Sequence, residues 1–243
     1  MRPEQARVQR ARAAEGSPGF WYRFAVVLVR PFLTVCTRQD WRGWEHLPES
    51  GGAVVVSNHI SHVDPFTFAH FVYESGRLPR FLAKASLFRV PFVGTVLRGA
   101  KQIPVYRESE TAAEAYSAAV DAVRRGKLVA IYPEATLTRD PDLWPMVGKT
   151  GAARVALETE APVIPLAQWG PHEVLPPYSK LPRLFPRHTV HVHAGPPVDL
   201  ADLQGRPIDA ELLRVATARI MAAVTGLLEE IRGEQRLPAR RTA

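Results

Sequence analysis

Apolar residues in this chain cluster in short runs of four or five, and the stretches between them carry apolar residues at helical spacing. Residues 53–56 (Ala-Val-Val-Val), behind Gly51-Gly52, read as a buried strand. Runs at 80–83, 103–107, 128–132, 163–167 and 189–193 predict further strands, and residues 41–45 a short edge strand. Helical spacing predicts helices over 66–73, 109–125 and 149–159. The second has Ser109 or Thr111 as a cap, Glu110 and Glu114 near its start and Arg124-Arg125-Gly126 at its close. Over 209–231, Leu213, Ala216, Ile220, Val224, Leu227 and Ile231 form one stripe suited to packing on a sheet. Strands alternating with helices, with no repeat and no dividing linker, predict an α/β fold: one domain with a mixed central sheet flanked by helices.

The N-terminal region departs from this rhythm. Residues 1–15 alternate Arg with Ala, Gln and Glu, as in a frayed, solvated helix. Residues 20–36 are apolar and aromatic, but Arg23 and Arg30 interrupt them and Pro31 breaks them. A spanning helix needs about 20 largely uncharged residues, and this stretch falls short. Arg30 also cuts the run that a signal peptide would need, and no small-residue cleavage site follows. The pattern suits an interfacial hairpin or bent helix, with Trp and Tyr at headgroup level and the Arg side chains snorkelling. An ordinary amphipathic helix covering the core is the competing reading. The expected division is a basic and apolar membrane-associating segment, 1–37, and an α/β domain, 38–243.

Composition sharpens this picture. The chain has 243 residues, 46% of them apolar, and a net charge of +7. Residues 1–42 hold eight Arg against Glu4, Glu15 and Asp40, so most of the positive excess is N-terminal. A basic end beside apolar residues points to an anionic lipid surface and not to nucleic acid. Cys36, the single cysteine, excludes an internal disulfide and any cysteine-rich metal cluster, and fits a reducing compartment.

The densest polar chemistry follows the first buried strand: Ser57-Asn58-His59-Ile60-Ser61-His62-Val63-Asp64-Pro65. The end of a strand is a usual place for a site on an α/β scaffold. Pro65 suits the first turn of a helix, so Asp64 is expected as its N-cap, reaching back to His59. A carboxylate on one ring nitrogen fixes the tautomer and leaves the other nitrogen basic, ready to take a proton from a hydroxyl. Two other readings stay open here: a structural His–Asp contact, and a metal held by His59, His62 and Asp64. His188, His191 and His193, with no acidic residue beside them in sequence, read as ordinary sheet histidines. Residues 171–186 carry prolines at 171, 176, 177, 182 and 186, a long loop suited to bordering a substrate channel.

Four blocks in this order resemble the glycerolipid acyltransferase family. Asn58-His59-Ile60-Ser61-His62-Val63-Asp64 is similar to the family's Asn-His-x-Ser-x-x-Asp, and Ile103-Pro104-Val105-Tyr106-Arg107 to its second block. Tyr132-Pro133-Glu134-Ala135-Thr136 resembles Phe-Pro-Glu-Gly-Thr, and Ala161-Pro162-Val163-Ile164-Pro165-Leu166 the fourth block. The resemblance covers about residues 41–200 and implies transfer of a fatty acyl group from a coenzyme A or carrier-protein thioester to a lysophospholipid hydroxyl. The implied acceptor is 1-acylglycerol-3-phosphate, giving phosphatidate. The implied setting is phospholipid synthesis at the cytoplasmic face of a bacterial membrane, by a peripheral or monotopic protein. His59 would be the general base and Asp64 its orienter. Asn58, Ser61, Lys84, Arg107, Glu134, Thr136, Arg139 and Lys149 would bind substrate, with Arg107 on the acceptor phosphate. No metal and no cofactor beyond the acyl thioester is implied.

An alcohol becomes a competent nucleophile once a positioned base takes its proton, and a thioester is already activated. Two departures stand out. The third block's Gly is Ala135, and the Arg that commonly follows its Thr is Leu137, with Arg139 the nearest Arg. Two alternatives stand beside this reading: an acyltransferase for glycerol-3-phosphate or another glycolipid, and, supported by these departures, a lipid-surface binding protein whose catalytic apparatus has decayed.

Overall fold

The computed structural model describes residues 3–105 and 109–236. In chain order its elements are α1 (Pro3–Glu15), α2 (Phe20–Cys36), β1 (Thr37–Arg42), β2 (Ala53–Ser57), α3 (Asp64–Glu74), β3 (Pro79–Lys84), α4 (Val93–Gly99), β4 (Ile103–Val105), α5 (Ser109–Arg124), β5 (Leu128–Ile131), α6 (Gly151–Thr159), β6 (Val163–Trp169), α7 (Pro171–Val174), β7 (His188–Ala194) and α8 (Ala210–Arg232). The expected strands and long helices are present within a few residues. Two short helices, α4 and α7, have too few residues to show helical spacing in sequence.

The strands form one seven-stranded sheet in the order β1-β7-β6-β2-β5-β3-β4. β6 and β7 pair antiparallel and the other neighbours pair parallel, so the sheet is mixed. β2 is the middle strand and every one of its residues is buried. That is why it reads as a continuous apolar run without alternation. Val54 and Val56 pack with α5, α6 and α8, whereas Val55 packs with Phe68, Phe71 and Val72 of α3 on the other face. Because β2 runs parallel to β5 and β6, the carboxyl ends of all three lie together at the centre of the sheet.

The N-terminal helices differ from the expectation. α1 is docked, not a frayed solvated arm. Its Glu15 is buried against Arg77, which is 1% exposed and directs Nε to Glu15 Oε2 at 2.8 Å. The other guanidinium donors go to the carbonyls of Pro48, Gly51 and Gly126, and Lys127 Nζ reaches Glu15 Oε1 at 3.0 Å. A buried ion pair persists when all its polar atoms find partners, and here the guanidinium is well supplied. Arg7 donates to the Leu47 carbonyl, and Arg10 pairs with Glu49. α2 is one helix with Pro31 inside it, in contact with α4 and α3. Trp21 lies against Gly99, where an added Cβ would fall 2.2 Å from the indole. Phe20, Val27, Leu28 and Val35 of α2 are more than 60% exposed. Among the described residues no helix is long and apolar enough to cross a membrane.

Candidate active site

The polar turn after β2 is organised by one carboxylate. Asp64 is 0% exposed and its Oδ2 meets His59 Nδ1 at 2.9 Å. The same oxygen accepts the backbone N–H groups of Ile60 (2.6 Å) and Ser61 (2.8 Å). Asp64 is therefore not the N-cap the sequence suggests. It opens α3, with Val63 in the cap position, and its side chain closes the turn before the helix. Oδ2 thus gathers two backbone donors and the His59 ring nitrogen on one oxygen. Nε2 of His59 has no hydrogen-bond partner among the described residues, and the side chain keeps 15% of its surface exposed. The ring is clamped from one side by Tyr132, stacked at 4.2 Å and 19°.

The turn after β5 supplies the second restraint. Glu134 is 4% exposed; Oε1 accepts the His59 N–H at 3.0 Å and Oε2 the Met146 N–H at 3.0 Å. Burial lifts its carboxyl to about 7, against the downward pull of those two backbone donors. The Thr138 N–H donates to the His59 carbonyl, so both backbone groups of His59 are held by the 132–138 turn. Ala135 in this turn has φ 58°, the left-handed conformation that glycine adopts freely. The substitution noted in the sequence thus carries a strain of roughly 1–2 kcal/mol.

β6 completes the support. Asn58 Nδ2 donates to the Gln168 carbonyl at 2.9 Å, and the Gln168 N–H returns to Asn58 Oδ1 at 2.8 Å. Thr67 Oγ1 donates to Gln168 Oε1 at 2.6 Å, tying α3 to the same residue. Ser61 Oγ donates to the Leu175 carbonyl and accepts the Val63 N–H, pinning the start of the proline-rich loop. Asn58 and Ser61 are both 0% exposed, so side chains expected to touch substrate instead direct their hydrogen bonds to the chain itself. Gln168 and Thr67 have no role in the sequence reading of the site, and Tyr132 enters it only as the first residue of the third block. Gln168 had a legible signal, an amide inside an otherwise apolar strand.

Lys84 ends β3 and is exposed, as are Arg139 and Lys149; Thr136 is half-buried. The Lys149 N–H donates to the Pro133 carbonyl, which keeps its backbone beside the Glu134 turn. Arg107 lies outside the described residues. His62 is exposed, and it does not join His59 and Asp64 in a three-ligand cluster.

A buried carboxylate, an imidazole whose second nitrogen has no partner among the described residues and a turn locked to the central strand make an arrangement that can take up and release a proton. The sequence model of the Acyltransferase family matches residues 38–169, more than half of the chain, and the chain belongs to that family. It is 31% identical over 162 residues to a 1-acyl-sn-glycerol-3-phosphate acyltransferase of Borreliella burgdorferi, covering 66% of this chain and 62% of the relative. It is 28% identical over 200 residues to the enzyme of the same name from Bacillus subtilis, covering 81% of this chain and 92% of the relative. A chloroplastic relative from Brassica napus with that activity in its name is 28% identical over 155 residues, and the match spans 42% of its length. The fold resembles the crystal structure of the 1-acyl-sn-glycerophosphate (LPA) acyltransferase PlsC from Thermotoga maritima, with a TM-score of 0.63 at 23% identity. That match covers 98% of this chain and 86% of the other.

Proposed function

We propose that this chain transfers a fatty acyl group from an acyl thioester to the free hydroxyl of a lysophospholipid, with 1-acylglycerol-3-phosphate as acceptor and phosphatidate as product. The observation that carries the reading is the His59–Asp64 contact at 2.9 Å with Nε2 left free. Nε2 takes the acceptor hydroxyl proton as the oxygen attacks the thioester carbonyl. The tetrahedral intermediate collapses, the C–S bond breaks, and the imidazolium returns its proton to the departing thiolate. Asp64 stabilises the imidazolium during these steps, a contribution of roughly 10²–10⁴-fold for a positioned base. No step calls for a covalent enzyme intermediate. Glu134, Asn58 and Ser61 serve this reaction as positioning residues, and Lys84, Arg139, Lys149 and Arg107 are the candidate partners of the acceptor phosphate. The relatives named for the same acyl transfer favour this acceptor.

The same reading puts the protein on a lipid surface as a peripheral or monotopic protein, at the cytoplasmic face. Support comes from the exposed apolar side of α2, extended by Leu87, Val90 and Phe92, with Phe92 in edge contact with Trp21 and Phe24. An apolar patch assembled from two distant segments is suited to burial in acyl chains. Arg7 and Arg10 contribute less than their sequence suggests, since both bond to the domain.

Purified protein incubated with acyl-coenzyme A or acyl carrier protein and a panel of acceptors, followed by thiol release, tests the reaction. Lysophosphatidate should give the fastest release. Preference for glycerol-3-phosphate or another glycolipid would move the acceptor, and no release with any pair would overturn the enzyme reading. For the surface, Val27→Glu with Leu28→Glu should lower co-sedimentation with anionic vesicles; unchanged binding would contradict it.

A further inference from the structure

The sequence separates His191 and His193 from any acidic partner; the fold supplies one from the other end of the chain. β1 and β7 pair parallel with Asp40 opposite His191 and Arg42 opposite His193. Residues two apart on a strand share a face. His191 Nδ1 therefore meets Asp40 Oδ2 at 2.8 Å, and His193 Nε2 meets the same oxygen at 3.4 Å. One donor atom from each of the three residues lies within 4.8 Å of the others. We infer that Asp40, His191 and His193 form a binding site for a divalent transition cation of the zinc class, which braces the edge strand β1 against β7.

The geometry and the donor chemistry agree. Bonds of about 2.0–2.2 Å at tetrahedral angles put neighbouring N and O donors roughly 3.3 Å apart. One of the two observed separations already has that value and the other must open by about half an ångström. Two imidazoles and a carboxylate suit zinc, cobalt or nickel and disfavour calcium and magnesium, which take all-oxygen sets.

On binding, the His191 proton that now faces Asp40 moves to the other ring nitrogen, and no net charge is lost from the imidazole. The Arg42 guanidinium, 3.2 Å from Asp40 Oδ1, is the group the ion must displace; its side chain is 69% exposed and free to turn to solvent. The consequence is mechanical. β1 begins at Thr37, directly after α2 ends at Cys36, and it is an edge strand paired on one side only. A clip between β1 and β7 therefore fixes the root of the exposed apolar helix, and does so whatever reaction the central site performs.

The test uses the full chain without a histidine tag, stripped with chelator and dialysed against Zn²⁺, with metal counted by mass spectrometry. Wild type should retain one more Zn²⁺ per chain than His191→Gln/His193→Gln, and Zn²⁺ should raise its Tm but not that of the variant. Equal uptake and equal Tm response in the two proteins would overturn the site. A second measurement needs no variant. Co²⁺ added to the stripped wild type should give the visible absorption of a low-symmetry N/O site, and its absence would also overturn the proposal.

Discussion

Glu134→Gln separates a positioning carboxylate from a substrate-binding one. The wild-type side chain accepts the His59 N–H on one oxygen and the Met146 N–H on the other, both at 3.0 Å and both shielded from water. Glutamine keeps the size but has one acceptor; its amide nitrogen must face the second backbone donor. One buried N–H loses its partner and a new NH₂ is left without one, at roughly 1–3 kcal/mol each, so the loss should be about 2–6 kcal/mol. The pH dependence adds a second signature. Burial raises the carboxyl to about 7 in the folded chain, from an unfolded value near 4.5. A raised pKa contributes stability that is fully present below 4.5 and is lost as pH rises through about 7. The change over that window is of the order of 3 kcal/mol. Urea unfolding of both proteins should therefore show a gap that is widest below about pH 4.5, narrows as pH rises toward 7 and is constant above it; kcat of the variant should fall because the His59 backbone is released. Equal stability at pH 5, or a gap that does not vary with pH, would refute this reasoning.

Two further outcomes follow from the same geometry. Ala135→Gly relieves the left-handed strain at φ 58° but adds unfolded-state entropy, so a net gain of about 0.5–1 kcal/mol is expected as a higher Tm. An unchanged or lower Tm would show the turn is relaxed with alanine. Arg77→Ala leaves Glu15 buried beside Lys127 alone and should cost about 3–5 kcal/mol, with α1 becoming the first site of proteolysis. Slow cleavage in α1 at wild-type stability would contradict the docking of α1 through Glu15 and Arg77.

The fold was legible where one residue class dominates a segment. β2, buried on both faces, reads as a continuous apolar run, and α8 reads as a stripe, with Asp209 capping it through the Leu212 N–H. His59 and Asp64 were legible because a short local turn joins them. Glu134 was legible as a residue of interest, but its partners, the N–H groups of His59 and Met146, have no sequence signature. Asn58 and Gln168 are 110 positions apart, and only the parallel pairing of β2 with β6 brings them together. Asp40 and the two β7 histidines show the same limit: a cluster drawn from paired strands is invisible until the register is known. Glu15 looked like a solvated charge for the same reason, since Arg77 comes from 62 positions away.

The dyad is the centre of the account, and Asp64→Asn tests it most directly. A single oxygen of Asp64 holds His59, Ile60 and Ser61, while Oδ1 has no partner among the described residues. An asparagine can therefore place its carbonyl where Oδ2 stands and its NH₂ where Oδ1 stands, keeping the turn and losing the charge. Measured on one folded sample, kcat should fall by roughly 10²–10⁴-fold with acceptor KM near wild type. His59→Ala should fall at least as far, and the double variant little further, because the two residues act as a unit. A folded Asp64→Asn protein that turns over lysophosphatidate at close to the wild-type kcat would contradict the account.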